Sequence, residues 1–172
     1  TVMSQLAIDH NAINLGQGFP DQDGPIDIRR KAANAMIEGP NQYPPMMGMV
    51  ELRHAVADAN KRFYDLDVDW RTEVMVTSGA TEALADCILG LINPGDEVVM
   101  IEPLFDSYLP MVQRAGGIAK TVRIEPPKWE LPKEKLAAAF SEKTKLVLLN
   151  SPHNPAGKVF NWKELNYIAN LI

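Results

Sequence analysis

Cysteine is nearly absent: Cys87 is the only one in 172 residues, which rules out an intrachain disulfide and favours a reducing compartment such as the cytoplasm. It sits in an apolar run, residues 84–92, where a small buried hydrophobe is the expectation and a reactive thiol the alternative. Histidine is scarce as well. His54 falls beside the apolar stripe of a helix, and no second histidine or paired carboxylate stands at metal-ligand spacing, so it reads as a boundary residue and no metal site is expected. Basic charge is not in excess: 17 lysines and arginines face 22 acidic residues for a net charge of −5, which leaves no electrostatic footprint for nucleic acid. No apolar run approaches the roughly 20 residues that span a bilayer. The opening residues, 1–8, carry neither a basic region nor a cleavage pattern, so secretion is not indicated.

What is present has the balance of a soluble globular protein, 46% hydrophobic and 23% charged, in a chain long enough for one domain with a sizeable core. No internal repeat or low-complexity segment interrupts it. The sequence begins without a methionine, and it stops inside a helical pattern that starts near Asn161, with Trp162, Leu165, Ile168, Ala169 and Ile172 on one face. That helix shows no C-cap signal. The expectation is therefore the N-terminal part of a longer protein.

Periodicity supplies the elements between. Residues 13–25 form a turn-rich arm with Gly16, Gly18, Pro20, Gly24 and Pro25. A helix is expected over 26–38, with Ile28, Ala32, Ala35 and Met36 on one side, and a second over 50–64 that buries Leu52, Ala55, Val56, Ala59 and Phe63. Residues 73–77 read as a first strand and 82–91 as an apolar helix. Residues 97–101 follow as a buried strand, and residues 111–115 complete a helix ended by Gly116 and Gly117. Then come an alternating strand near an edge (118–124), a helix over 132–140 that opens on Pro132, and a buried parallel strand over 146–149. Strand, helix and strand in this order give an α/β fold with a mostly parallel sheet flanked by helices.

Two of the turns carry chemistry. Ser78-Gly79-Ala80-Thr81 lies between a strand and a helix, where small residues leave backbone N–H groups unpaired beside the positive end of the helix dipole. Such a turn accepts a phosphate on the N–H groups of Ala80 and Thr81, with the Thr81 hydroxyl as an extra donor. A plain N-cap by Ser78 or Thr81 is the alternative. No lysine stands where a nucleoside triphosphate loop requires one. The second turn, Asn150-Ser151-Pro152-His153-Asn154-Pro155-Ala156-Gly157, leaves the carboxyl end of the last strand. Its prolines stiffen it and Gly157 permits a turn that other residues resist. Asn150 and Asn154 thus point where open α/β sheets hold their ligands.

The Asn150 to Gly157 stretch resembles the N-x-P-x-N-P-x-G signature of class I/II aminotransferases, the fold-type I enzymes that use pyridoxal 5′-phosphate (PLP). Three further matches stand in the family's order: Leu15-Gly16-Gln17-Gly18-Phe19-Pro20-Asp21, Ser78-Gly79-Ala80-Thr81-Glu82, and Glu102-Pro103-Leu104-Phe105-Asp106-Ser107-Tyr108. The first and last are most similar to the kynurenine, glutamine and methionine aminotransferase branch. The resemblance implies an aspartate aminotransferase-like fold, with residues 1–45 as N-terminal arm, first helix and active-site loop, and 46–172 as the first part of the large PLP-binding domain.

It also implies roles. Gly79, Ala80 and Thr81 hold the PLP phosphate, and Phe105 stacks on the pyridine ring. Asn154 donates to the cofactor's phenolic oxygen and faces the substrate. Asn150 braces the loop or approaches the substrate carboxylate. Gly18 brings backbone close to the substrate carboxylate, and Tyr43 reaches across a homodimer interface toward the partner's cofactor phosphate or substrate. Without the resemblance, Phe105 and Tyr43 read as packed aromatics and the Gly18 arm as a linker. The Schiff-base lysine, the aspartate beside the pyridinium nitrogen and the arginine for the substrate carboxylate belong beyond residue 172 in the family's order, so no catalytic residue is assigned here. The implied activity is transamination between an amino acid (aromatic, glutamine-like or methionine-like) and a 2-oxo acid. A carbon–sulfur β-lyase on the same scaffold and a non-catalytic binding domain are the alternatives.

Overall fold

The computed structural model describes every residue except Thr1, Gln17, Phe19 and Asp21. It divides into two compact units, residues 1–46 and 47–172. The first contains α1 (Val2–Asp9) and α2 (Ile26–Glu38). Eight residues give α1 too little periodicity to mark it in the sequence. α2 begins directly after Pro25 and ends at Gly39, whose N–H bonds to the Ala35 carbonyl. The Asn41 amide donates back to the Met36 carbonyl at 2.8 Å, which fixes the start of the 41–45 loop. Gln17, Phe19 and Asp21 of the arm motif lie outside the described residues.

The second unit runs α3 (Val50–Tyr64), α4 (Gly79–Leu91), β1 (Glu97–Glu102), α5 (Tyr108–Arg114), β2 (Ile118–Arg123), α6 (Lys133–Ala138), β3 (Thr144–Leu148) and α7 (Trp162–Ala169). The three strands pair in parallel in the order β2-β1-β3. β1 is central and buried on both faces. Its side chains alternate as a pleated strand requires. Val99 and Ile101 join Val122, Ile124, Leu136, Phe160 and Ile168 in one core. Val98 and Met100 join Ile88, Ile92, Tyr108 and Val112 in the other. The result is three layers, with α4 and α5 on one face of the sheet and α6 and α7 on the other.

Several expectations need correction. Residues 73–77 are extended but not a sheet strand: Val74 is buried, and Val76 bonds through its N–H to the Met47 carbonyl, not to β1. Residues 146–149 are half-buried or exposed, because β3 has a neighbour on one side only among the described residues. α4 opens at Gly79 and not at residue 82, and Cys87 faces outward and is exposed.

The helices also turn unexpected faces inward. On α3 the supposed core residues Leu52 and Phe63 are 48% and 68% exposed, and the side chain that is buried is Arg53. Its guanidinium donates to the carbonyls of Val74, Trp70 and Arg71 at 2.9, 2.7 and 2.8 Å, which satisfies a buried cation and bolts α3 to the 70–74 segment. His54 stacks on Trp70 at 4.1 Å between centroids. On α7 Trp162 and Ala169 are exposed and the inward face is Glu164, Leu165 and Ile168; beyond the helix end Ile172 is exposed and Leu171 packs on the core.

Candidate functional site

Three loops meet at one end of the sheet. β1 and β3 are adjacent and parallel, so the 103–107 loop after β1 and the 149–160 loop after β3 leave the same end of the sheet. A direct bond confirms the proximity: His153 Nε2 lies 3.1 Å from the carbonyl of Ile101, near the end of β1. A carbonyl accepts only, so this nitrogen carries the proton. α4 packs Ile88 and Ile92 against the β1 side chains Val98 and Met100 and then turns into β1 at Pro94-Gly95. Thirteen helical residues and six strand residues each span about 20 Å. α4 therefore returns antiparallel to β1 and brings its first turn to the strand's carboxyl end.

That first turn has a specific form. Gly79 adopts φ +83°, with nothing within 4 Å of where a Cβ would stand, so the backbone is open to an approaching group. Ser78 occupies the N-cap position without a side-chain bond, and its N–H is taken by the Glu82 carboxylate. The N–H groups of Ala80 and Thr81, both exposed, find no acceptor among the described residues. Two donors at a helix N-terminus, unpaired and uncovered, fit an anion such as a phosphate. The sequence did not reveal that the Glu82 carboxylate takes the Ser78 N–H or that the Gly79 N–H bonds to the Thr77 carbonyl at 2.9 Å, which together leave the two amides of Ala80 and Thr81 for a ligand.

Phe105 is half-buried, and Tyr108 meets its ring edge-on at 5.5 Å between centroids. That contact holds the ring against the α4/α5 core while part of it stays accessible. In the Asn loop, Asn150 Oδ1 accepts from the Asn154 N–H at 2.6 Å. The Asn150 side chain is thereby used within the loop, and the Asn154 side chain is exposed. Both X–Pro bonds of the loop, Ser151–Pro152 and Asn154–Pro155, are cis. Gly157, at φ +70°, donates its N–H to the His153 carbonyl at 2.7 Å and closes the turn. Gly18 and Tyr43 belong to the first unit; Gly18 has open space around it and Tyr43 is 98% exposed.

Lys158, the lysine nearest in sequence to the Asn loop, pairs with Glu164 at 2.8 Å, and each side chain is only 12% exposed. No cluster of histidine, cysteine and carboxylate suited to a metal occurs among the described residues. A cavity of about 600 Å³ lines the free side of β3 between Phe140, Leu146, Leu171 and Ile172, away from all these groups.

The family model for aminotransferases of class I and II matches residues 10–172. The chain belongs to that family. The class I and II aminotransferases are PLP enzymes, and the donors at Ala80 and Thr81, the accessible Phe105 ring and the outward Asn154 amide suit that cofactor. A methionine aminotransferase of Escherichia coli strain K12 is 44% identical over 169 residues, 98% of this chain and 43% of that protein. A probable N-succinyldiaminopimelate aminotransferase of Mycobacterium tuberculosis is 46% identical over 171 residues, again 98% of this chain and 43% of the relative. The crystal structure of YbdL from Escherichia coli, described as having a methionine aminotransferase function, superposes with a TM-score of 0.95 at 42% identity. It covers 100% of this chain and 46% of that one. The chain thus spans less than half the length of these relatives, and its sheet and helices are the corresponding portion of an aspartate aminotransferase-like fold.

Proposed function

We propose that this chain is the N-terminal, cofactor-binding portion of an enzyme that moves an amino group between an amino acid and a 2-oxo acid. The observation that carries the reading is the pair of free N–H groups on Ala80 and Thr81, standing at the same sheet end as Phe105 and Asn154. PLP, when bound, supplies the electron sink for bond breaking at the amino acid's α-carbon. The residues here do the holding. Gly79 lets the backbone approach the phosphate, and the Ala80 and Thr81 N–H groups and the Thr81 hydroxyl donate to it. Phe105 offers a flat face to the ring. Asn154 donates its side-chain amide to the phenolic oxygen and lies toward the substrate, and Asn150 acts by holding the Asn154 backbone.

Gly18 suits a close approach to the substrate carboxylate because it carries no Cβ. Tyr43, on its braced loop, is assigned to the site of a second copy in a homodimer. The proposed substrates are methionine-like, glutamine-like or aromatic amino acids, and the likeness to a methionine aminotransferase favours the first. The single cysteine favours a cytoplasmic setting. No helix of the described residues is long and apolar enough to cross a membrane.

The test is made in the whole protein. Phe105→Ala is expected to weaken PLP retention by the loss of stacking, about 0.5–1.5 kcal/mol beyond area burial. Asn154→Ala is expected to shift the pH midpoint of the bound cofactor's absorption change. If both variants bind PLP and titrate as the parent does, the site map is wrong. Sedimentation of the active enzyme as a monomer removes Tyr43 from it.

A further inference from the structure

The Lys158–Glu164 pair has an unusual position. It joins the residue just after the Gly157 turn to the first turn of α7, and its 2.8 Å separation is shielded from solvent. Glu164 has two tasks there. Its Oε1 meets Lys158, and its Oε2 accepts from the Asn161 N–H at 2.9 Å, while Asn161 Oδ1 accepts from the Glu164 N–H at 3.0 Å. This is a complete capping box with a cation added. The opposite end of Lys158 is equally committed: its carbonyl accepts from the His153 N–H at 2.8 Å. The Lys158 ammonium also stands 5.1 Å from the ring centroid of Phe160, a core residue whose N–H bonds to Ser151 Oγ at 3.2 Å.

The bonds of Lys158 to His153 and of Phe160 to Ser151 end on the loop that presents Asn154. Resting on the cofactor-site reading above, we propose that Lys158 and Glu164 are positioning residues that clamp the 150–157 loop to α7 and so aim the Asn154 amide at the cofactor. Neither touches the ligand. The chain of contacts runs from the Glu164 carboxylate to Lys158, through the Lys158 carbonyl to His153, and from the His153 carbonyl to the Gly157 N–H that closes the turn behind Asn154. A shielded ion pair fits this task because breaking it by removal of one partner leaves a charge without solvent or counter-ion, which fixes a single geometry. An exposed pair would be worth little and would leave the loop free.

The experiment is a mutant cycle in the whole protein, with Glu164→Gln, Lys158→Met and the two combined, each made with Asn154 intact and with Asn154→Ala. Glu164→Gln keeps an oxygen for the Asn161 cap while removing the charge. Two readouts are taken: PLP affinity with the pH midpoint of its absorption, and hydrogen exchange of the His153 and Gly157 N–H groups in the cofactor-free protein. With Asn154 present, Glu164→Gln is expected to weaken PLP binding about tenfold, to move the absorption midpoint and to speed exchange at Gly157. With Asn154→Ala, the same change is expected to alter PLP affinity by no more than about twofold, because the group being aimed is gone. A Glu164→Gln effect of equal size in both backgrounds shows a general loss of stability and overturns the inference. Unchanged exchange at His153 and Gly157 overturns the clamp even if Asn154 matters. An Asn154→Ala protein that binds PLP normally overturns the cofactor reading, and this inference with it.

Discussion

Arg53 shows how little of the chain's interior can be inferred from side-chain type. A helix stripe of Leu52, Val56 and Phe63 points to an apolar core face, yet the buried member is an arginine that donates to three carbonyls. Its replacement by methionine leaves those acceptors without donors and is expected to cost about 3 kcal/mol, measured by urea unfolding of the whole protein. The motif residues are different. Gly157 was legible because a positive-φ turn admits few other residues, and Gly157→Ala is expected to lose about 1 kcal/mol from backbone strain alone, since open space surrounds the site. Arg53 was not legible because its partners lie 17 to 21 residues away and are backbone atoms, which carry no sequence signature.

Glu164 adds a pH dependence. Burial pushes its carboxyl up, but the Lys158 ammonium and the Asn161 N–H outweigh that and hold it below its ordinary value. A carboxyl depressed in the folded state contributes stability that is complete above the unfolded value of about 4.3 and is lost as pH falls through the folded value. Stability curves of Glu164→Gln and the parent are therefore expected to differ at pH 7 and to converge on acidification. A difference that stays constant through the acid limb contradicts the assignment.

The helices α2 and α3 and the strands β1 and β2 were the readable elements. α2 and α3 have the bounds that periodicity and the flanking Pro25 and Gly39 suggest. The side chain of Asn161 caps α7, so Asn161→Ala is expected to cost about 1 kcal/mol by thermal or urea unfolding. The strand assigned to 73–77 failed for a physical reason. The short apolar run from Val74 to Val76, flanked by Glu73 and Thr77, suits an extended chain, and only a partner strand makes such a chain part of a sheet. Here the hydrogen bond goes to Met47 instead. β3 was found in place but its burial was overestimated, because a continuous apolar run cannot say how many neighbours a strand has.

Over the whole molecule, the largest departure from expectation is the apolar surface that stays uncovered. Ile28 and Met36 of α2 and Leu52 and Phe63 of α3 are all exposed. Faces of that kind promote association. The 172-residue chain alone is expected to bind a hydrophobic dye and to sediment as aggregates or oligomers, whereas a clean monomer without dye binding contradicts the exposure seen here. Its ten lysines are also expected to remain unlabelled at stoichiometric level when PLP is added and reduced with borohydride. A crystal structure of the whole protein with PLP is the decisive test of the site at the end of the sheet where α4, β1 and β3 meet. The phosphate is expected within hydrogen-bonding distance of the Ala80 and Thr81 nitrogens, the ring against Phe105 and the phenolic oxygen at the Asn154 amide. A phosphate bound elsewhere, with those two N–H groups on water or on protein carbonyls, would contradict this arrangement.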